Sequence, residues 1–182
     1  PIKTAPYTRG MLQTYKTNVL ACMILSTSNE KGKFDIEPGD TFLYALAPLP
    51  YTTGLIPLGL KDEIDVEFLP PVSEAVNMTF SERNKRGFKL GMKKGIDFFF
   101  GLGSVAYYVS LSVAAMSEGG KGGSKLKALM SMSPSMTLRY LKAKQTCRKE
   151  NRDLKPKDLF TLKGFVCAGT DNRCYKDDLE DL

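Results

Sequence analysis

Apolar and polar residues alternate through five consecutive segments in the middle of the chain. Alternation with a period of two residues is typical of a strand with one buried and one solvated face. Proline and glycine residues between the segments supply turns. The pattern therefore predicts an α+β fold: an antiparallel meander of about five strands, with two or three short helices and a basic face. The alternating segments are 64–68, 76–80, 88–92, 96–100 and 105–113.

Three stretches outside the meander each predict a single element. Residues 17–27 form a nearly continuous apolar run, which predicts a buried strand. Residues 41–47 predict a short helix that has Asp40 as its N-cap. Residues 159–167 predict a late strand.

A longer helix is expected after the glycine-rich part of the chain. Ser133 followed by Pro134 is a favourable pair for the N-cap and first turn of a helix, which should run to about Arg148. On this helix we expect Leu138 and Leu141 to face the core.

The length of 182 residues predicts one domain with a short arm. Six residues at 118–123, mostly glycine, form a linker by composition. The predicted organisation is an arm at 1–16 and a single domain at 17–182, divided into a sheet-rich core at 17–117, the linker, a helical and late-strand part at 124–170, and an acidic tail at 171–182.

A membrane span is the competing interpretation of part of the meander. Residues 98–116 form a stretch of 19 residues without charge, close to the roughly 20 that a transmembrane helix needs. Serines recur in this stretch in alternation, and glycines lie near its start, which favours strands. We expect strands and keep the span as an alternative.

Charge is distributed unevenly along the chain. The formal net charge is +6, yet residues 30–74 contain nine acids and three lysines, whereas residues 82–165 contain 18 basic residues and six acids. Such asymmetry favours binding to nucleic acid or anionic lipid, or head-to-tail self-association.

The densest cluster of positive charge falls between Glu82 and Asp97, where no acid occurs. On a strand, Lys89 and Lys93 would share the solvated face. We therefore predict a site that binds anionic lipid or nucleic acid, made of Arg83, Lys85, Arg86, Lys89, Lys93 and Lys94 with a second group at Lys121, Lys125 and Lys127.

No catalytic constellation is visible in the sequence. The chain has no histidine, which excludes Ser-His-Asp and Cys-His catalysis and histidine-ligated zinc. Its four cysteines match no metal-binding spacing, so we expect reduced thiols, with a Cys167–Cys174 disulfide as a minority alternative. The prediction is a protein that is not an enzyme and has no cofactor, metal or small-molecule substrate.

One segment of the chain resembles a known family. Phe88–Gly95 is similar to a run in the matrix proteins of rhabdoviruses, especially the vesiculovirus type. There an aromatic, an aliphatic, a glycine, an aliphatic, a lysine and a glycine fall at the spacings of Phe88, Leu90, Gly91, Met92, Lys94 and Gly95. The approach to that run is also similar, at Pro70, Pro71, Phe80, Arg83 and Arg86. The absence of histidine and tryptophan fits a divergent lineage, such as a plant-infecting one.

The resemblance implies a non-enzymatic structural protein of the virion. Such a protein would self-associate, coat and condense the nucleocapsid, and link it to the inner leaflet during budding. It would lie beneath the envelope, in the host cytoplasm and on the inner face of host membranes. Since an exposed loop docks on a neighbouring subunit in that family, the implied self-association residues are Leu49, Pro50, Tyr51, Leu55 and Ile56.

Two alternatives belong to other functional classes. One is an integral membrane protein that uses the uncharged stretch as its span. The other is a viral movement or RNA-chaperone protein that binds single strands without sequence preference, although aromatic residues that would stack on bases are sparse in the basic cluster.

Overall fold

A computed structural model describes residues 8–28, 35–48, 59–117, 131–168 and 171–182. In these ranges four strands form one sheet in which every pairing is parallel, in the order β2-β1-β3-β4. The strands are β1 (Thr41–Tyr44), β2 (Glu67–Leu69), β3 (Phe98–Leu102) and β4 (Gly164–Ala168).

Aromatic residues are stacked across the centre of the sheet. Phe42 pairs in register with Phe68 on one side and Phe98 on the other, and its ring lies 4.6 Å from that of Phe98. The central strands β1 and β3 are buried on both faces, as parallel strands generally are, whereas Phe165 of the edge strand β4 is exposed. Continuous apolar runs such as 98–100 are the sequence counterpart of this burial.

Helices connect the strands and cover the sheet. They are α1 (Arg9–Thr27), α2 (Gly59–Ile64), α3 (Val72–Ala75), α4 (Phe80–Lys94), α5 (Gly103–Ser117), α6 (Pro134–Lys149), α7 (Pro156–Leu159) and α8 (Lys176–Glu180), with a 3₁₀ turn at Arg173–Tyr175.

Two hydrophobic clusters lie on opposite faces of the sheet. Since neighbouring residues of a strand point to opposite faces, Leu43 and Phe99 join the larger cluster, whereas Phe42 and Phe98 join the smaller one. Helices α4, α5 and α6 contribute to the larger cluster, and Ile64 of α2 packs against the smaller one. The protein is therefore an α/β layered structure.

Polar side chains form hydrogen bonds and a salt bridge between the amino ends of β1, β3 and β4. The backbone N–H and the hydroxyl of Thr41 both donate to Oδ2 of Asp97, at 2.9 and 2.8 Å. Lys163, just before β4, forms a salt bridge of 2.9 Å with Asp40. The prediction that Asp40 caps a helix is wrong, because β1 begins at the next residue and residues 41–44 are buried in the sheet.

The predicted antiparallel meander and the α+β class are wrong. Of the five alternating segments, 88–92 lies inside α4 and 105–113 inside α5, and 76–80 contains no strand. The other two segments overlap β2 and β3, which pair in parallel with β1. Five-residue windows fit both a two-residue and a 3.6-residue period. The helical period of α4 shows only over its whole length, through the buried residues Arg83, Asn84, Gly87, Gly91 and Met92.

Of three predictions about flanking elements, one is wrong, one is confirmed with different bounds, and one is confirmed. Residues 17–27 belong to α1 and are not a strand, because a polar stretch with an N-cap at Thr8 extends the helix upstream of the apolar run. The late strand exists as β4 but begins at Gly164, after α7. Ser133 does cap α6, since its side chain accepts a hydrogen bond from the Met136 N–H.

The uncharged stretch 98–116 divides between β3 and α5. Within the described ranges, no helix is both long enough and apolar enough to cross a membrane.

Candidate functional site

The strand order creates a point where the chain leaves the sheet in opposite directions. From β1 the chain continues to β2 on one edge, whereas from β3 it continues to β4 on the other edge. The carboxyl ends of β1 and β3 are neighbours, because Tyr44 pairs with Phe100. In open parallel sheets, ligands bind in the crevice outside the carboxyl ends at such a topological switch point.

A buried cation lies at this edge of the sheet. Arg83 of α4 is 8% exposed. Its Nε donates to the carbonyl of Ala45, which follows β1, at 2.9 Å, and its Nη1 donates to the carbonyl of Met78 and, at 3.5 Å, to that of Ala75. No carboxylate among the described residues forms a salt bridge with Arg83, and Nη2 donates to no acceptor there. Buried guanidinium groups are normally paired with an acid, so this positive charge is uncompensated within the described chain.

Glu82, the acid that precedes Arg83, forms its hydrogen bonds with the N-cap of α4. Glu82 accepts a hydrogen bond of 2.8 Å from the Thr79 N–H and a second from the Thr79 hydroxyl, while its own N–H donates to that hydroxyl. These hydrogen bonds lower the pKa of Glu82. The capping box therefore fixes the first turn of α4 and keeps this carboxylate away from the guanidinium.

Two further buried polar groups lie in the same part of the fold. Tyr44 is the last residue of β1, is fully buried, and packs against the rings of Phe68 and Phe100. Its hydroxyl has no hydrogen-bond partner among the described residues, and neither does Oδ1 of Asn84, the residue after Arg83. Burial raises the pKa of Tyr44, although the positive charge of Arg83 opposes the shift, so the hydroxyl stays a neutral donor.

We call Tyr44, Arg83 and Asn84 the switch-point site. Arg83 donates only to backbone carbonyls in the described chain, and the Tyr44 hydroxyl has no acceptor there; phosphate and carboxylate groups accept hydrogen bonds from donors of both types. The sequence pattern predicts a solvated Arg83 and does not single out Tyr44 or Asn84. The local alternation of apolar and polar residues does not reveal that a polar residue is buried.

Two glycines lie where β3 passes directly into α5 at the same edge. Gly101, Gly103 and Ala106 fit the spacing G-x-G-x-x-A, but Gly101 is inside β3 and Gly103 is the first residue of α5, so the glycines do not form the loop of a dinucleotide-binding turn. A Cβ atom on Gly103 would lie only 2.4 Å from Cδ2 of Tyr175. The ring of Tyr175 thus lies directly against the backbone at Gly103 and leaves no room for a side chain there.

The predicted basic cluster divides into three groups on α4. Arg83 is buried at the switch-point site. Arg86 forms a salt bridge of 2.7 Å with Glu74, which lowers the pKa of that acid, and Lys94 pairs with Glu67. The exposed remainder, Lys85, Lys89 and Lys93, forms no salt bridge with any described residue.

We call Lys85, Lys89 and Lys93 the lysine row. They recur every four residues and so lie on one face of α4, about 6 Å apart along its axis. The expectation that Lys89 and Lys93 share the polar face of a strand is wrong, since the element is a helix. Lys121, Lys125 and Lys127, and the self-association residues Leu49, Pro50, Tyr51, Leu55 and Ile56, lie outside the described residues.

The described cysteines form no disulfide with one another, so the Cys167–Cys174 alternative is not found. Cys147 is buried with its sulfur 3.5 Å from Oδ2 of Asp158, and burial, together with that carboxylate, raises the pKa of its thiol. Across the described ranges, no group of three or more potential ligands is placed to hold a metal ion.

Comparisons of this chain with protein-family models, with curated proteins and with solved structures find no match.

Proposed function

We propose that the protein binds a small molecule carrying a phosphate or carboxylate group at the switch-point site. The observation that carries this proposal is the buried guanidinium of Arg83, which meets only backbone carbonyls in the described chain. It lies at the edge of the sheet where α/β proteins bind ligands. An anion there compensates the buried charge and accepts hydrogen bonds from Nη2 and the Tyr44 hydroxyl.

The unpartnered hydroxyl of Tyr44 makes the proposal testable without disturbing the fold. A buried polar group without a partner destabilises a protein, so Tyr44→Phe should raise the melting temperature of the free protein by roughly 2–4 °C, corresponding to about 1 kcal/mol. The same change should reduce the stabilisation given by pyrophosphate or citrate, because the ligand loses a donor. Thermal melts at constant ionic strength, with and without each anion, measure both effects.

Tyr140→Phe is the matched control for loss of a buried hydroxyl. The Tyr140 hydroxyl already donates to the carbonyl of Met116 at 3.0 Å. We expect this variant to lose stability and to keep the full anion-induced shift. The proposal fails if neither anion stabilises the wild-type protein, or if Tyr44→Phe keeps the wild-type anion-induced shift.

The lysine row supports a second candidate function, the binding of RNA or nucleoprotein. Three unpaired lysines on one rigid helix face can neutralise successive phosphates. We therefore propose, as the second candidate, that the protein is a non-enzymatic matrix-type component of a virion. It would self-associate and condense a nucleocapsid in the host cytoplasm or beneath an envelope.

The support for that second function is now electrostatic. The segment Phe88–Gly95, which carries the resemblance to rhabdovirus matrix proteins, lies at the end of α4 and beyond it. The antiparallel sheet that agreed with the resemblance is replaced by parallel strands in the described part of the chain. What supports the proposal is the uneven charge along the sequence and the lysine row itself.

A further inference from the structure

The outward face of α6 exposes two leucines that the helical pattern had assigned to the core. Leu138 is 56% exposed and Leu141 is 51% exposed. The opposite side of α6 is occupied, because Met136, Tyr140 and Cys147 are buried against the rest of the protein. The helix cannot rotate to hide its leucines without exposing these three residues.

Basic residues surround the two leucines. Lys142, Arg148 and Lys149 are exposed on the same side of α6, and none of them forms a salt bridge with a residue in the described ranges. The helix contains no aspartate or glutamate over residues 134–149. From Leu138 to Lys149, its outward face therefore combines apolar side chains with basic residues that have no salt bridge, over a length of about 17 Å.

We propose that this face of α6 rests on the surface of an anionic lipid bilayer. Its leucines enter the boundary between headgroups and acyl chains, while the long basic side chains reach the lipid phosphates. Charge complementarity favours this occupant, since anionic lipid supplies negative charge and an apolar layer side by side. An RNA backbone offers no apolar surface against which the leucines could be buried. A second copy of the chain would bring the same positive charges together at a symmetric contact, where they repel each other.

The inference is independent of the switch-point site, which lies at the carboxyl edge of the sheet. It also differs from the sequence-based prediction for lipid binding, which used residues of α4. The lysine row on α4 has no large exposed apolar residue within it. It therefore lacks the apolar side chains that would enter the bilayer.

Co-sedimentation with vesicles tests the inference. The full chain should bind vesicles of phosphatidylcholine with 30% phosphatidylserine, and should bind pure phosphatidylcholine at least about tenfold more weakly. The double variant Leu138→Gln/Leu141→Gln should lose about tenfold or more in affinity for the mixed vesicles, and Lys142→Gln/Lys149→Gln should lose a similar factor.

Matched controls separate this surface from others. Leu111→Gln removes a leucine of α5 that is 50% exposed, in a helix without charged residues, and should leave vesicle binding unchanged. Lys85→Gln/Lys89→Gln removes the same charge from the lysine row and should retain at least half of the wild-type affinity. Melting curves of all variants should match that of the wild type, because every substituted side chain is exposed.

Three results would overturn the inference. The wild-type protein could fail to bind the mixed vesicles, or bind both vesicle types equally. The leucine variant could bind like the wild type, which removes the apolar part of the argument. The α4 variant could lose binding while the α6 variant keeps it, which assigns the lipid contact to the lysine row.

Discussion

Asp158 is the best-connected carboxylate of the described chain. Arg152 donates to both of its oxygens, at 2.7 and 2.8 Å, and the Lys155 N–H donates to Oδ2 at 2.8 Å. The Arg152 hydrogen bond, the largest contribution, lowers the pKa of Asp158 to about 2, although partial burial opposes the shift. These bonds hold the turn between α6 and α7.

The pKa of Asp158 gives a pH prediction. Because this pKa is lower in the folded state, the carboxylate stabilises the protein above about pH 4 and loses that effect as the pH falls toward 2. Asp158→Asn should remove about 1–2 kcal/mol at pH 7, or roughly 2–8 °C of melting temperature. The difference between variant and wild type should shrink as the pH falls from 4 to 2.

Asp153→Asn is the control for this measurement. Asp153 is exposed and its side chain forms no salt bridge with a described residue. Its replacement should leave both the melting temperature and its dependence on pH close to wild type. A difference between Asp158→Asn and wild type that persists undiminished at pH 2 would contradict the assignment.

Single residues were predictable from sequence only where local chemistry decides. Ser133 before Pro134 was identified as a cap because the side chain and the missing N–H act within one turn. Arg83 was predicted as a binding residue but on an exposed surface, and Tyr44 was not predicted, because the burial of both residues depends on segments far apart in sequence. Leu138 and Leu141 were assigned to the core on hydrophobicity alone, and this failed because α6 buries a different stripe.

The lysine row carries the prediction at the scale of a single element. Lys85→Glu/Lys89→Glu/Lys93→Glu should leave the melting temperature nearly unchanged, because these exposed side chains have no ion pairs to lose in the described structure. Affinity for single-stranded RNA should fall at least about tenfold. The slope of log K against log salt should become shallower by about two, close to 0.7 for each lost phosphate contact. Filter binding at several salt concentrations measures both.

The control for the lysine row comes from α6. Lys142→Glu/Arg148→Glu/Lys149→Glu changes the same amount of charge on another helix, so RNA affinity and its salt slope should change much less. Equal losses for the two triple variants would mean that net charge, and not the row, determines RNA binding. Arg86 is left out of the variant because it pairs with Glu74.

Whether a segment forms a helix or a strand was harder to predict than the presence of an ordered element there. The segment 88–92 alternates perfectly, yet the capping box at Thr79 begins a helix that passes through it. The cap was visible in the sequence as Thr79 followed three residues later by Glu82, and it outweighs a five-residue alternation. Segment 41–47 was read as a helix although Phe42, Leu43 and Tyr44 are consecutive apolar residues, as in a strand buried on both faces.

At the scale of the whole molecule, uneven charge predicts how copies of the chain interact. If the acidic region 30–74 pairs with the basic region 82–165 of a neighbour, oligomers should form at about 50 mM salt and dissociate at several hundred mM, because the Debye length shortens from roughly 14 Å to a few Å. Light scattering across a salt series measures this. A scattering signal independent of salt would contradict the pairing.

The order and direction of the strands in the sheet could not be predicted from the sequence pattern. The turns between strands were visible, but whether strands pair in parallel depends on the crossover helices, and these were misread as strands. Once α4 and α5 are helices, the order β2-β1-β3-β4 and its switch point follow from the packing of those helices on the sheet. The candidate site is therefore a property of the whole molecule, and no single motif encodes it.

The most direct test of the switch-point site is an NMR titration of the ¹⁵N-labelled protein with pyrophosphate. The account predicts saturable shifts of the Arg83 Nε–H signal and of the Ala45 amide, with smaller shifts at Gly101 and Gly103. It predicts no saturable shifts at Lys85, Lys89 or Lys93. Shifts confined to the lysine row or to α6, or no saturable shift at Arg83, would contradict the proposed ligand site.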